Sequence, residues 1–389
     1  MTSIASPVEA LLAAKEIVVV CGSGGVGKTT TAAALATMAA ADLGAKVLVL
    51  TVDPARRLAD AMGLGALGNA ETRVSEAAFA TAGLEPRGEL WAAMLDTKQS
   101  WDELIRRHAP DAATRDAILA NPLYRNVTGK FVHSHDYIAM ERLFELHASG
   151  VYDLIVVDTP PTRHAIDFLE APERMAEFFS SRLLRWLLVP YRSRLINAAS
   201  RPFYQIADRA LGSAFLADIA EFFILFQSMY DGFVERAGAV ERVLEDRRTT
   251  FVVVTTLEAA PASEAGRFVE VLRTKRLHLG AVVLNRVLPV DLLDHGATEA
   301  ARALSATADE LAAAVSEVLD DPPVPSALVA RVLGELGESF LNFQVVAKRE
   351  AEQRAELALG TEVVATVPAF ETDIFDLAGL ARLGDALRR

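Results

Sequence analysis

The run Cys21-Gly-Ser-Gly-Gly-Val-Gly-Lys-Thr-Thr30 constrains this chain more than any other stretch, because it follows the apolar segment Ile17-Val-Val-Val20 and opens an alanine-rich helical pattern. A strand, a glycine-rich turn ending in Gly-Lys-Thr, and a helix, in that order, make a phosphate-binding loop. Glycines at 22, 24, 25 and 27 let successive backbone N–H groups turn inward around phosphate oxygens, where Cβ atoms would block the approach. The helix opening near Lys28 adds the positive end of its dipole. The predicted ligand contacts are therefore Gly24, Gly25, Val26, Gly27, Lys28, Thr29 and Thr30. Lys28 reaches the β- and γ-phosphates, and the Thr29 hydroxyl ligates Mg²⁺.

At 389 residues the chain exceeds one ordinary domain, so either two domains or one enlarged nucleotide-binding domain is expected. Short β-rich runs occur at Ile17 to Cys21, Lys46 to Val52, Trp91 to Asp96, Leu154 to Asp158, Phe251 to Thr256, Ala281 to Val287 and Val363 to Val367. Nearly all are unbroken apolar runs separated by helical patterns. That is how strands buried on both faces of a parallel sheet read, and it predicts an α/β fold with a mostly parallel central sheet flanked by helices. Two intervals are too long for simple crossovers and are rich in helical periodicity, which predicts an inserted all-helical subdomain at 97–149 and 168–248. Residues 1–96, 150–167 and 249–389 would form the nucleotide-binding core.

Charge and cysteine content narrow the function classes. The formal net charge of −13 argues against nucleic acid as a partner, because phosphate contacts need a cationic surface. No run reaches the roughly 18 apolar residues of a membrane-spanning helix, and the amino terminus, with Glu9 and Glu16, lacks a signal-peptide pattern. A cytoplasmic location is expected. Cys21 is the only cysteine, which leaves no disulfide within the chain and no cysteine metal cluster; it reads as a buried thiol at a strand end. His133-Ser-His-Asp136 offers three candidate ligands without a fourth at zinc spacing, and reads as a polar helix start.

Two acidic landmarks complete the site. Asp158 ends the apolar run Leu154-Ile-Val-Val, at the carboxyl edge of a strand beside the phosphate loop, where it would orient water on Mg²⁺. Asp53, in Thr51-Val-Asp-Pro-Ala-Arg56, stands at the same edge of the sheet. It reads either as the group that positions or deprotonates the attacking water, or as the cap of the helix that Pro54 begins.

The ordered set Gly24-Gly-Val-Gly-Lys-Thr-Thr30, Val52-Asp-Pro-Ala55 and Asp158-Thr-Pro-Pro-Thr-Arg-His164 resembles the arsenical-pump (ArsA) ATPase family. That family includes the eukaryotic ATPase that targets tail-anchored membrane proteins. The resemblance runs from about residue 16 to the end, and within the family the chain is similar to one member of the paired actinobacterial anion-transporter ATPases. The resemblance implies an ATPase with ATP and Mg²⁺ as cofactors, acting as a homodimer or as a heterodimer with a paralogous ATPase. Lys28 and Thr29 take phosphate and Mg²⁺, Asp53 becomes the catalytic base of a first switch and a further metal-site residue, and Asp158 with Pro161 to His164 becomes the second switch. Asn285, in Val283-Leu-Asn-Arg286, matches the adenine-reading asparagine, and Val367-Pro-Ala-Phe370 matches the loop that cradles adenine, so Pro368 and Phe370 join the cofactor contacts.

The chain departs from the family pattern at three places. Arg286 stands where glutamine is usual, and Asp373-Ile-Phe-Asp376 replaces a usual Glu-Ile-Arg-Gly. Ser23 stands where a second lysine reaches across the dimer to the partner's phosphates. Either a paralogue supplies that cation to this chain's site, or Arg56, Arg57 or Arg163 replaces it.

The long insert carries two further features. Phe215, Ile219, Phe222, Phe226 and Met229 recur at helical spacing and make an apolar face, either subdomain core or a groove for a hydrophobic client helix. Ser180 to Ala207 contains Arg182, Arg185, Arg192, Arg194 and Arg201 and no acidic residue. Interleaved with Leu183, Leu184, Trp186 and Tyr191, these arginines either surround a core helix or meet an anionic membrane surface.

Overall fold

Strand β1 (Ile17–Gly22) lies in the middle of the sheet because all of its side chains are apolar or small, and all are buried. A computed structural model describes residues 5–52, 56–65, 67–122, 124, 134–160, 169–171, 173–174, 177, 221–226, 228–318, 324–357 and 363–389. The other strands are β2 (Lys46–Thr51), β3 (Thr72–Arg73), β4 (Glu89–Met94), β5 (Leu154–Asp158), β6 (Thr249–Thr255), β7 (Leu279–Val287) and β8 (Val364–Pro368). They form one eight-stranded sheet in the order β3-β4-β2-β5-β1-β6-β7-β8. Every neighbouring pair is parallel except β3 with β4.

All seven expected strands are present, and the α/β architecture is the one read from the sequence. β4 starts and ends two residues earlier than expected, because the Asp96 carboxylate accepts a hydrogen bond from the Gln99 backbone N–H at 2.8 Å and caps the following helix instead of extending the strand. β3 has only two residues and no apolar run, so periodicity carried no trace of it.

Period-two alternation sends the strand side chains to two separate cores. Ile17, Val19 and Cys21 face one layer, and Val18 and Val20 the other. The second layer is built on α1 (Pro7–Ala13), α2 (Lys28–Asp42), α3 (Arg56–Ala61), α4 (Glu76–Thr81) and the carboxyl-terminal helix Leu377–Leu387. α2 is buried along almost its whole length, and its alanines let it lie close against both the sheet and that last helix.

The first layer holds α5 (Thr97–His108), α6 (Ala112–Ala120), α7 (Ser134–Ala148), α8 (Tyr230–Glu245) and α9 (Ala259–Thr274). Trp101, Tyr137, Phe226 and Phe233 pack together there, with the Phe226 and Phe233 rings nearly parallel at 5.4 Å between centroids. Phe222, Phe226 and Met229 are thus part of the core that covers the sheet, and this much of the apolar face read from the sequence is occupied by the chain itself. Phe215, Ile219 and the arginine-bearing segment 180–207 lie outside the described residues. His133 does too, and α7 begins directly after it.

Between β7 and β8 the chain makes a helical excursion. It comprises a 3-10 turn (Val290–Leu293), α10 (His295–Ala306), α11 (Ala308–Val318) and the 32-residue α12 (Ser326–Leu357). α12 crosses α10 in backbone contact at Gly337, where a Cβ would lie 2.5 Å from the Ala301 carbonyl oxygen. Among the described residues, no helix is long and apolar enough to cross a membrane. Helix α13 (Leu377–Leu387) ends the fold.

Candidate nucleotide site

The loop from Gly22 to Gly27 leaves β1 at the carboxyl edge of the sheet and enters α2. Gly22 passes so close to β6 that a Cβ there would sit 2.1 Å from the Val254 carbonyl oxygen. Gly27, with φ +96, turns the chain into the helix without a side-chain cap, so the first N–H groups of α2 remain directed at the loop's concavity. Gly24 and Gly25 face open space. Val26 is buried beneath the loop and anchors it to the second core layer.

Lys28 is buried, and its Nζ donates to the Ser23 carbonyl at 3.0 Å, so the ammonium curls back over the loop it follows. The Thr29 hydroxyl donates to Asp158 Oδ2 at 2.7 Å, and the Thr51 hydroxyl donates to the same oxygen at 3.0 Å. Asp158 is fully buried at the end of β5, between β1 and β2. Three strand or helix ends thus converge on one carboxylate. A hydroxyl beside a carboxylate is a set of hard oxygen donors, which suits Mg²⁺, and the open glycine cradle at an uncapped helix start suits a phosphate chain.

Ser23 carries an unforeseen partner. Its hydroxyl donates to Glu264 Oε2, on α9, at 2.6 Å. Nothing in the sequence singled out Glu264, which occurs in an ordinary amphipathic helix far along the chain. Cys21 sits immediately before the loop as expected: it is buried at the strand end, and burial pushes its thiol up to about 12.

Asn285 reaches the loop from β7. Its Nδ2 donates to the Val26 carbonyl at 2.8 Å, while its Oδ1 accepts from the Arg286 backbone N–H at 3.0 Å. The register of β7 against β8 shifts between Leu284 and Val287, and Arg286 has φ +60. This bulge turns the Asn285 amide out of the strand and toward the loop. A pocket of about 330 Å³ opens beside it. Gly27, Thr29, Thr30, Asn285, Pro368 and Phe370 all line that pocket, which brings together predicted contacts from three distant parts of the sequence. Arg286, Asp60 and Phe375 line it as well. Asp53 and Pro161 to His164 lie outside the described residues.

The chain matches the sequence profile of the anion-transporting ATPases over residues 15–327. An uncharacterized protein of Streptomyces coelicolor is 32% identical to it over 275 residues, which cover 70% of this chain and 62% of that protein. ATPase ASNA1 homolog 1 of Paramecium tetraurelia is 28% identical over 274 residues, covering 69% of this chain and 73% of the relative. ATPase GET3 of Malassezia globosa is 26% identical over 267 residues, covering 69% and 71%. With its phosphate loop, parallel sheet and matching profile, the chain belongs to the anion-transporting ATPase family.

Proposed function

We propose that this chain binds MgATP at the phosphate loop and hydrolyses it, and that this cycle opens and closes a dimer and thereby controls a hydrophobic client or membrane partner. The observation that carries the reading is the hydrogen bond between Thr29 and Asp158. It assembles a metal-ligating hydroxyl and a water-orienting carboxylate next to an open phosphate cradle.

Each residue has a distinct role in this reading. The backbone N–H groups from Gly24 to Thr30 hold the phosphates, and Lys28 swings from the Ser23 carbonyl to the β- and γ-oxygens. Thr29 and Asp158 would hold Mg²⁺, and Asp53 is a further candidate ligand from the sequence. Mg²⁺, when bound, neutralises charge on the phosphates. Asp53 takes the proton of the attacking water. Asn285, Pro368 and Phe370 form the base pocket, the amide supplying both a donor and an acceptor.

Ser23 makes the phosphate loop deviant in this reading. Its hydroxyl is engaged by a carboxylate, so this position offers the phosphates no cation of its own. A cation supplied in trans is worth on the order of 10³ to 10⁵ in rate. We infer that a paralogous subunit bearing a lysine at this loop position supplies it, in a cytoplasmic heterodimer. The same observation favours a second reading, in which the chain binds nucleotide and scarcely turns it over alone, serving as regulatory subunit to an active paralogue.

Single-turnover hydrolysis with wild type, Lys28→Ala and Asp158→Asn, each with and without the paralogue, tests both readings. The catalytic reading expects wild type to accelerate with the paralogue and both variants to fall by roughly 100-fold or more. If the variants match wild type in the mixture, this chain is the regulatory subunit. If wild type alone is as fast as the mixture, the cation in trans is wrong.

A further inference from the structure

Phe375 lines the cavity of about 330 Å³ beside Asn285, yet it is 66% exposed. Its neighbours in the chain fix it there. Ile374 packs inward against the second core layer, and Asp376 caps α13 by accepting from the Gly379 N–H at 2.7 Å. The ring between these two anchors is held out at the cavity. A large apolar ring in such a place gains by meeting another flat face, and the base of a nucleotide presents one.

Arg286 lines the same cavity from β7, with an exposed side chain. Among the described residues, only Arg276 and Arg286 combine a side chain with a left-handed backbone, at φ +57 and +60. Arg276 follows the end of α9, where the Leu277 N–H donates back to the Leu272 carbonyl at 2.8 Å and that conformation is ordinary. Arg286 has no helix to end. It stands inside β7, at the bulge, and its N–H donates to Asn285 Oδ1 at 3.0 Å. Backbone strain kept inside a strand marks a side chain that has to be aimed.

Charge shows what the aim is for. The other charged residues lining the cavity are Asp60 and Asp373, both exposed. Two carboxylates repel an anionic nucleotide, and a guanidinium among them offsets that repulsion. Neither Arg286 nor Phe375 follows the family pattern, since glutamine is usual at the first position and the second lies in the divergent stretch Asp373 to Asp376. The two departures meet in one cavity.

We propose that Phe375 stacks on the base of the bound nucleotide and that Arg286 offsets the two carboxylates beside it, so that Phe375 sets the preference for a nucleotide over a bare polyphosphate. This assignment rests on the reading that MgATP binds at the phosphate loop, and it adds two residues that grip the nucleoside.

Titration calorimetry of the full chain with MgADP and, separately, with magnesium tripolyphosphate tests it. Phe375→Ala should weaken MgADP by roughly 10-fold to 100-fold and leave tripolyphosphate binding unchanged. Phe375→Trp keeps a stacking ring, so it should hold the affinity, and its added emission should respond to MgADP and not to tripolyphosphate. Arg286→Gln, which makes the same demand on the backbone, should weaken MgADP by roughly 5-fold at low salt. That difference should fade at roughly 0.5 M salt. If wild type takes up neither ligand, the nucleotide reading fails and this proposal fails with it. If wild type binds MgADP and Phe375→Ala binds it equally well, or loses both ligands to the same degree, the nucleotide reading stands and the role of Phe375 is overturned. An Arg286→Gln variant indistinguishable from wild type at low salt overturns the role of the arginine.

Discussion

Asn285 donates its side-chain amide to the Val26 carbonyl at 2.8 Å, tying the bulge of β7 to the phosphate loop. The residue expected to read the base therefore also fixes the loop expected to hold the phosphates. Asn285→Ala leaves the Val26 carbonyl without that donor, a loss of about 1–3 kcal/mol. Titration calorimetry with MgADP should register roughly 10-fold weaker binding. Asn285→Asp should be worse, since it removes the donor and adds a negative charge beside an anionic ligand. Unchanged affinity in both variants would remove Asn285 from the site.

The Cys21 thiol offers a test of how tightly the strand leading to the loop is packed. It is 1% exposed, and burial raises it to about 12. At pH 8 the thiolate fraction is on the order of 10⁻⁴. Iodoacetamide should leave the native chain unmodified and alkylate it stoichiometrically in denaturant. Mass spectrometry reads the outcome directly, and fast native labelling would contradict the packing described.

Acid sensitivity should trace to a cluster joining the start of β1 to the start of β6. Glu16 bonds the His147 imidazole at 2.8 Å and accepts from Arg248 at 3.1 Å, and these contacts, His147 first, hold its carboxyl below the usual range. Glu9 is lowered as well, chiefly by the Ser6 backbone N–H and also by Arg388. A carboxylate whose folded pKa is depressed stabilises the fold above its unfolded pKa. That contribution is lost as pH falls through the lower, folded value. The Tm should therefore drop between about pH 5 and pH 3, and Glu16→Gln should flatten the drop. An identical acid profile in the variant would exclude Glu16 as a source.

A buried ion pair locks α7 to α8. Arg236 Nε lies 2.5 Å from Glu141 Oε1, and the Tyr137 hydroxyl donates to Glu141 Oε2 at 2.9 Å. Glu141 is 1% exposed, and burial raises its pKa despite the guanidinium. Arg236→Met strands that carboxylate in the core and should cost about 3–5 kcal/mol at pH 8. Because a raised folded pKa favours the protonated fold, the deficit should shrink as pH falls toward about 5. Urea denaturation at the two pH values measures both effects, and Arg236→Met with Glu141→Gln should recover part of the loss.

Much of the architecture was legible without coordinates. Ile17 to Val20, Leu154 to Val157 and Phe251 to Val254 are continuous apolar runs, and only a strand covered on both faces tolerates such a run in water. The glycines and Lys28-Thr29 were readable because a phosphate chain demands bare backbone and a fixed cation. Boundaries were less legible. Asp96 looked like a strand end and is a helix cap, since a short acidic side chain serves both. The two residues of β3 were invisible because a pair of residues has no period.

The sequence by itself determined the strand, glycine loop and helix from Ile17 onward, seven of the eight strands, and the burial of Cys21, because each depends on neighbours close in sequence. Only the tertiary structure decided that Glu264 meets Ser23, that Thr51 and Thr29 share one oxygen of Asp158, and that a bulge aims Asn285 at Val26. Those contacts join residues tens to hundreds of positions apart. Their geometry follows from strand order and crossover packing, which local propensity does not encode.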